Sequence, residues 1–344
     1  MGKLKDKIKK KIEKGIRDLK AKTKDAKAKI NKKLAQRKQK LQIVITKIKG
    51  NKKFFFNPFK ASSWDDSQNF EPEVLPVNDF TVEDFEELRN HNTEESALAQ
   101  LNELATDLKT VDISSFTEDI PRACLILCNT YTKPQYKLGV GPINDSITVA
   151  ANHKRMGYTV YFLHNPTSEV FLEYLVLFLT KATQYLTVYY TGHGANVKDT
   201  SGDEEDGLDE VMVFDEDYIL DDLLAEIIQE NANGTTKIIL LNDCCHSGTL
   251  WDIPLEIDEA QTFPANVICL SAADDDEQAK QGRQGFNDQG FFTFIFFQEV
   301  RRNKALNPRD IQNRVSSQLV NYKQCVIVSP TRAELMDQPL FPQD

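Results

Sequence analysis

Two short stretches of this chain hold residue types suited to nucleophilic catalysis. His193 stands in Tyr190-Thr191-Gly192-His193-Gly194, and two cysteines stand in Asp243-Cys244-Cys245-His246-Ser247-Gly248. A thiol and an imidazole are the minimum for thiol catalysis, because the imidazole takes the thiol proton and the thiolate attacks a carbonyl carbon. Each stretch follows a β-branched and aromatic run of strand length, Leu186–Tyr190 and Lys237–Leu241. An apolar run that stops abruptly in glycine and polar residues reads as a buried parallel strand ending at the carboxyl edge of an α/β sheet, where such sheets place their reactive groups. Adjacent residues at a strand end point to opposite faces, so only one of Cys244 and Cys245 can meet His193. Gly194 lets a backbone N–H approach a substrate carbonyl and form part of an oxyanion hole. Asp243 lies two residues before Cys245, and Thr191 two before His193, so each shares a strand side with its reactive neighbour.

The elements that must position these residues alternate in kind. Strands are expected at Ala123–Cys128, Thr159–Leu163, Leu186–Tyr190, Lys237–Leu241, Asn266–Leu270 and Cys325–Val328. Helices are expected at 144–156, 169–183, 220–230, 291–301 and 308–319. That alternation predicts an α/β fold with a mainly parallel six-stranded sheet flanked by helices on both faces.

The two reactive stretches resemble the Y-S-G-H-G and D-x-C-H-S-G motifs of metacaspases, relatives of the caspases. The acidic run Gly202–Glu210, the Ile219–Asp222 stretch, Ser271–Asp275 and Gly290–Phe294 resemble later segments of the same family, so the likeness spans roughly residues 121–330. It implies a caspase-like (caspase/hemoglobinase) fold and a cysteine endopeptidase working by a His193–Cys245 dyad, since in that pattern the cysteine directly before His-Ser-Gly attacks. It also implies an acid after the first strand, in a C-I-N-D segment represented here by Pro142-Ile143-Asn144-Asp145. With Asp145, Thr191 and Asp243 in one pocket, buried carboxylates call for a cation, and Arg or Lys at the P1 position of a protein or peptide substrate supplies it. Pro142 for Cys and Thr191 for Ser depart from the family pattern and leave the acids in place. Carboxylate-rich segments suit Ca²⁺, a hard ion that takes oxygen ligands, and by family position its ligands would be Asp209, Asp221, Asp222 and Asp252. The resemblance thus implies calcium activation and a self-processing zymogen. The short link from Leu250 to Pro264 resembles the type I members.

Charge divides the chain. Residues 1–53 carry 22 Lys and Arg against 4 Asp and Glu, while the other 291 residues carry 20 against 48. Leu4, Ile8, Ile12, Ile16, Leu19, Ala26, Ile30 and Leu34 recur at three- and four-residue spacings in the basic part, a helical period. The expectation is a basic amphipathic helical extension over 1–53, a linker with prodomain helices over 54–120, and a peptidase domain over 121–344. A lysine-rich helix suits an anionic membrane surface. A solvated arm, or an arm docked on the acidic body, are the alternatives, and nucleic acid is the polyanion not adopted here. No run of about 18 apolar residues spans a bilayer, and the lysine-rich N-terminus lacks a signal-peptide core. Six cysteines in 344 residues do not form a disulfide framework. These features give the expectation of a monomer in the cytoplasm, with membrane association through residues 1–53. The rival reading is a catalytically silent caspase-like scaffold held at membranes by that extension.

Overall fold

The computed structural model describes residues 91–198, 208–244, 250–253, 263–264, 266–272, 281–284, 287–320 and 324–344. The basic extension 1–53, most of the acidic run 202–210 and Cys245 lie outside the described residues.

In chain order the elements are α1 (Glu94–Leu104), β1 (Thr106–Asp107), β2 (Ile120–Cys128), α2 (Gly141–Arg155), β3 (Thr159–His164), α3 (Ser168–Lys181) and β4 (Ala182–Thr191). There follow β5 (Gly194–Lys198), β6 (Leu208–Val213), β7 (Tyr218–Leu220), α4 (Asp221–Asn231), β8 (Lys237–Asp243) and β9 (Val267–Ser271). The chain ends with β10 (Gln281–Gln284), β11 (Asn287–Gly290), α5 (Phe291–Arg302), α6 (Pro308–Leu319) and β12 (Ile327–Pro330).

Seven strands form one sheet in the order β1-β3-β2-β4-β8-β9-β12. Every pairing in it is parallel except β12 on β9. The six expected strands are all present. The seventh, β1, is a two-residue strand directly after α1, within the 54–120 stretch expected to hold only a linker and prodomain helices. Two small antiparallel sheets, β5-β6-β7 and β10-β11, were not expected.

Near-continuous apolar strands bury both faces of the sheet. Cys124, Ile126 and Cys128 join one core cluster with Ile147 of α2, Phe292 and Phe296 of α5, and Val315 of α6. The intervening Leu125 and Leu127 are equally buried and lie outside that cluster, on the side where α3 and α4 pack. Local sequence sets the helix starts. Thr167 accepts the Val170 N–H before α3, Asn307 accepts the Asp310 N–H before α6, and Pro142 occupies the first turn of α2.

Candidate active site

Strands β2, β4 and β8 are neighbours, and their carboxyl ends meet in one register: Cys128 pairs with Thr191, and Thr191 pairs with Asp243. Side chains alternate across these ends. Tyr189 points to the α5 face, where its hydroxyl meets Thr293 Oγ1 at 2.8 Å, while Tyr190 points the other way and donates to the His193 carbonyl at 2.6 Å. Asp243 follows Tyr189 to the α5 face. Cys244 is 2% exposed and lies on the Tyr190 side, close enough to the Tyr131 and Tyr190 hydroxyls to resist their ionisation. Cys244 is therefore buried. Cys245, the expected nucleophile, lies outside the described residues.

His193 lies two residues past the end of β4, and Gly194 opens β5 opposite Met212. The imidazole Nε2 is 2.8 Å from the Tyr136 carbonyl oxygen. A carbonyl only accepts, so Nε2 carries the proton and Nδ1 keeps the basic lone pair. Burial holds the imidazole below its ordinary value, opposed by that bond to Tyr136, so the ring is neutral at neutral pH and competent as a base. The Tyr136 carbonyl fills the orienting role that an Asp or Asn side chain fills in a catalytic triad. A backbone carbonyl has no residue type to betray it. Gly192 also has a steric reason: a Cβ there would come within 2.8 Å of both the Tyr190 and Tyr131 hydroxyls.

Asp145 and Asp243 both meet the amino end of α5. Asp145, fully buried in α2, accepts the Gly290 N–H at 2.9 and 3.1 Å through its two oxygens. Asp243 Oδ2 accepts the Thr293 N–H at 3.2 Å and the Thr293 hydroxyl at 2.6 Å. A Cβ on Gly290 would overlap the Asp243 carboxylate, so glycine is needed there. Burial pushes both acids above the carboxylate range. The Asp243 charge raises Asp145 further while Gly290 opposes, and Thr293 opposes the rise of Asp243. Thr191 is buried beside them. The structure therefore brings Asp145, Thr191 and Asp243 together with α5, and adds Gly290 and Thr293, which the sequence reading had placed only in a later helix. Among the described residues neither acid is in an ion pair, and the positive end of a helix supplies their counter-field.

The four expected calcium ligands are placed differently. Asp209 is buried in β6, Asp221 and Asp222 open α4, and Asp252 adopts a left-handed backbone with φ 45°. Asp221 accepts the Glu210 N–H at 3.0 Å and the Asp222 N–H at 2.9 Å. Burial pushes Asp221 up to about 8, and the Glu210 side chain bonded to it adds to the rise. Among the described residues no three His, Cys, Asp or Glu side chains are grouped to hold a metal ion. Asp221 is thus held beside Glu210, with its carboxylate accepting two backbone N–H groups.

The caspase-domain profile (Peptidase C14) matches residues 121–335. A protein named Metacaspase III c of Phaeodactylum tricornutum is 37% identical over 84 residues, 23% of this chain and 25% of that protein. Metacaspase-1 of Candida glabrata is 38% identical over 74 residues, 20% of this chain and 19% of that protein. The match thus spans a quarter or less of these relatives' length. Among solved structures, protein GSU0716 of Geobacter sulfurreducens superposes with a TM-score of 0.51 at 19% identity, covering 65% of this chain and all of that one. That likeness concerns the fold alone.

Proposed function

This chain belongs to the caspase-domain family of peptidases, and from that premise we propose that it is a cysteine endopeptidase of metacaspase type that cleaves after Arg or Lys. The observation that carries the reading is the register of Thr191 with Asp243 on adjacent parallel strands. His193 and Cys245 each follow a member of that pair by two residues in the sequence.

In the proposed reaction, His193 Nδ1 takes the Cys245 thiol proton and the thiolate attacks the scissile carbonyl carbon. The Gly194 N–H stabilises the oxyanion of the tetrahedral intermediate. Collapse breaks the C–N bond, and His193 returns the proton to the departing amine. Water, deprotonated by the same imidazole, then hydrolyses the thioester and restores the thiol. The Tyr136 carbonyl keeps the ring in the tautomer this requires and stabilises the imidazolium that forms.

The Arg/Lys preference is supported by Asp145 and Asp243, two buried acids whose partners among the described residues are the Gly290 N–H and the Thr293 N–H and hydroxyl. A guanidinium or ammonium group supplies the full positive charge that those donors lack. Calcium activation is a separate part of the proposal. It is supported by the oxygen-ligand chemistry of Asp209, Asp221, Asp222 and Asp252 and by the closeness of the Asp221 carboxylate to Glu210 and Asp222. No catalytic step above depends on it. Zymogen processing belongs to the same proposal, with Lys53 and Lys60, outside the described residues, as basic candidates for self-cleavage. The direct test is hydrolysis of otherwise identical peptides with Arg, Lys or Asp at P1, each with and without calcium. Turnover of the Arg and Lys peptides alone is expected; preference for Asp would overturn the specificity, and no turnover of any peptide would overturn the activity.

A further inference from the structure

Tyr131 is a bulky residue in the left-handed region, with φ 62°. That conformation favours glycine or asparagine and costs of the order of 1–3 kcal/mol when another residue holds it. The strain is over-determined by its surroundings. Asn165 Oδ1 accepts the N–H groups of Thr130 at 2.8 Å and Tyr131 at 3.0 Å. The turn places the Tyr131 ring against the His193 imidazole, with centroids 4.7 Å apart and planes tilted by 30°. It also places the phenol at a junction under the His193 loop. Tyr131 Oη accepts the His193 N–H at 2.6 Å and donates to the Val213 carbonyl at 3.1 Å.

Five residues later the same loop delivers the Tyr136 carbonyl to His193 Nε2. The segment between them is fixed from β6–β7: Asp215 accepts the Thr132 N–H at 2.9 Å, and Lys133 Nζ donates to the Asp215 carbonyl at 2.6 Å. One loop therefore grips the histidine at its backbone N–H, its ring face and its Nε2–H.

We propose that Tyr131 is a positioning residue for His193, holding the imidazole in the plane and tautomer that present Nδ1 as the base. The inference rests on the peptidase reading for its consequence, but the geometry it claims is measurable without turnover.

The test is Tyr131→Phe in the full chain, which keeps the ring and removes the hydroxyl. The imidazole is observed by ¹⁵N NMR, with the His193 signals assigned by their loss in His193→Asn. A single Nε2–H tautomer is expected in the parent and a mixture of tautomers in Tyr131→Phe. On an Arg peptide, kcat per titrated active site should fall roughly tenfold to a hundredfold, as misplacing a catalytic group does, with KM changed less than about twofold. A purely structural role would lower the amount of folded protein and leave both signatures in place. An unchanged tautomer and an unchanged kcat would overturn the proposal. If the parent turns over no peptide, the peptidase reading fails and the NMR arm still decides this one. Should Tyr131→Phe not fold, Asp215→Ala, which frees the Thr132 N–H just after Tyr131, is held to the same two signatures with the same refuting result.

Discussion

Thr293→Val isolates the contact that would set the charge of the proposed specificity pocket. Valine keeps the shape of threonine and removes one hydroxyl. That hydroxyl donates to Asp243 Oδ2 at 2.6 Å and lies 2.8 Å from the Tyr189 hydroxyl. Donation at this distance to a carboxylate belongs to the strong, charge-assisted class, and its loss costs about 1.5–3 kcal/mol. Asp243 is already pushed up to about 6 by burial, with Thr293 opposing that rise. One pH unit corresponds to about 1.4 kcal/mol, so removing the donor should raise Asp243 by roughly 1–2 pH units. The sign follows from the acid's chemistry. Only the ionised carboxylate attracts a cationic P1 side chain, so KM for Arg peptides rises as pH falls through the Asp243 value, and the variant should show that rise at higher pH. The assay is KM and kcat for an Arg peptide between pH 5 and 9, beside the melting temperature. Thr293→Val should recover most of its Arg affinity above about pH 8, where Asp243 is again ionised. A KM profile that coincides with the parent's would refute the assignment of Asp243 to the pocket.

Further outcomes follow from the same geometry. Cys245→Ala should abolish peptide hydrolysis, whereas Cys244→Ala should keep more than half of the parent kcat per folded molecule, because the Cys244 side chain is buried; equal loss in both would remove the distinction. Asp221→Ala/Asp222→Ala should lose calcium binding in isothermal titration together with calcium-stimulated turnover, and a double mutant stimulated like the parent would place the ion elsewhere. A peptide of residues 1–53 should bind phosphatidylserine vesicles at low salt and release as ionic strength rises past a Debye length of about 8 Å; indifference to such vesicles would end the membrane reading.

The sheet was legible because its strands are buried on both faces and read as apolar runs of strand length. Lys237–Leu241 and Leu186–Tyr190 were visible for that reason, and their glycine and polar ends pointed to the site. β1 escaped because two residues at the end of an amphipathic helical period carry no pattern of their own. β5, β6 and β7 escaped because the acidic residues around them, Asp209 and Glu210 included, read as loop. Helix α5 was expected, but not that Gly290 and Thr293 at its start would face Asp145 and Asp243. Those contacts join α2, β8 and α5, which are far apart in sequence. The partner of His193 was invisible for a chemical reason, since every residue has a carbonyl. Tyr131 left one faint signal, an aromatic residue in the polar run Asn129–Lys133 just past a strand end. Asp221 was visible as an acid opening a helix, but its contact with the Glu210 backbone N–H joins an element that read as loop.

The central claim is that Cys245, activated by His193, attacks carbonyls next to a basic residue. The most direct measurement is mass spectrometry of the full chain after treatment with a peptidyl fluoromethyl ketone carrying Arg at P1, beside the same reagent carrying Asp. One stoichiometric adduct, on Cys245, is expected with the Arg reagent and is lost in His193→Ala. Labelling of another cysteine, labelling that persists without His193, or faster labelling by the Asp reagent would contradict it.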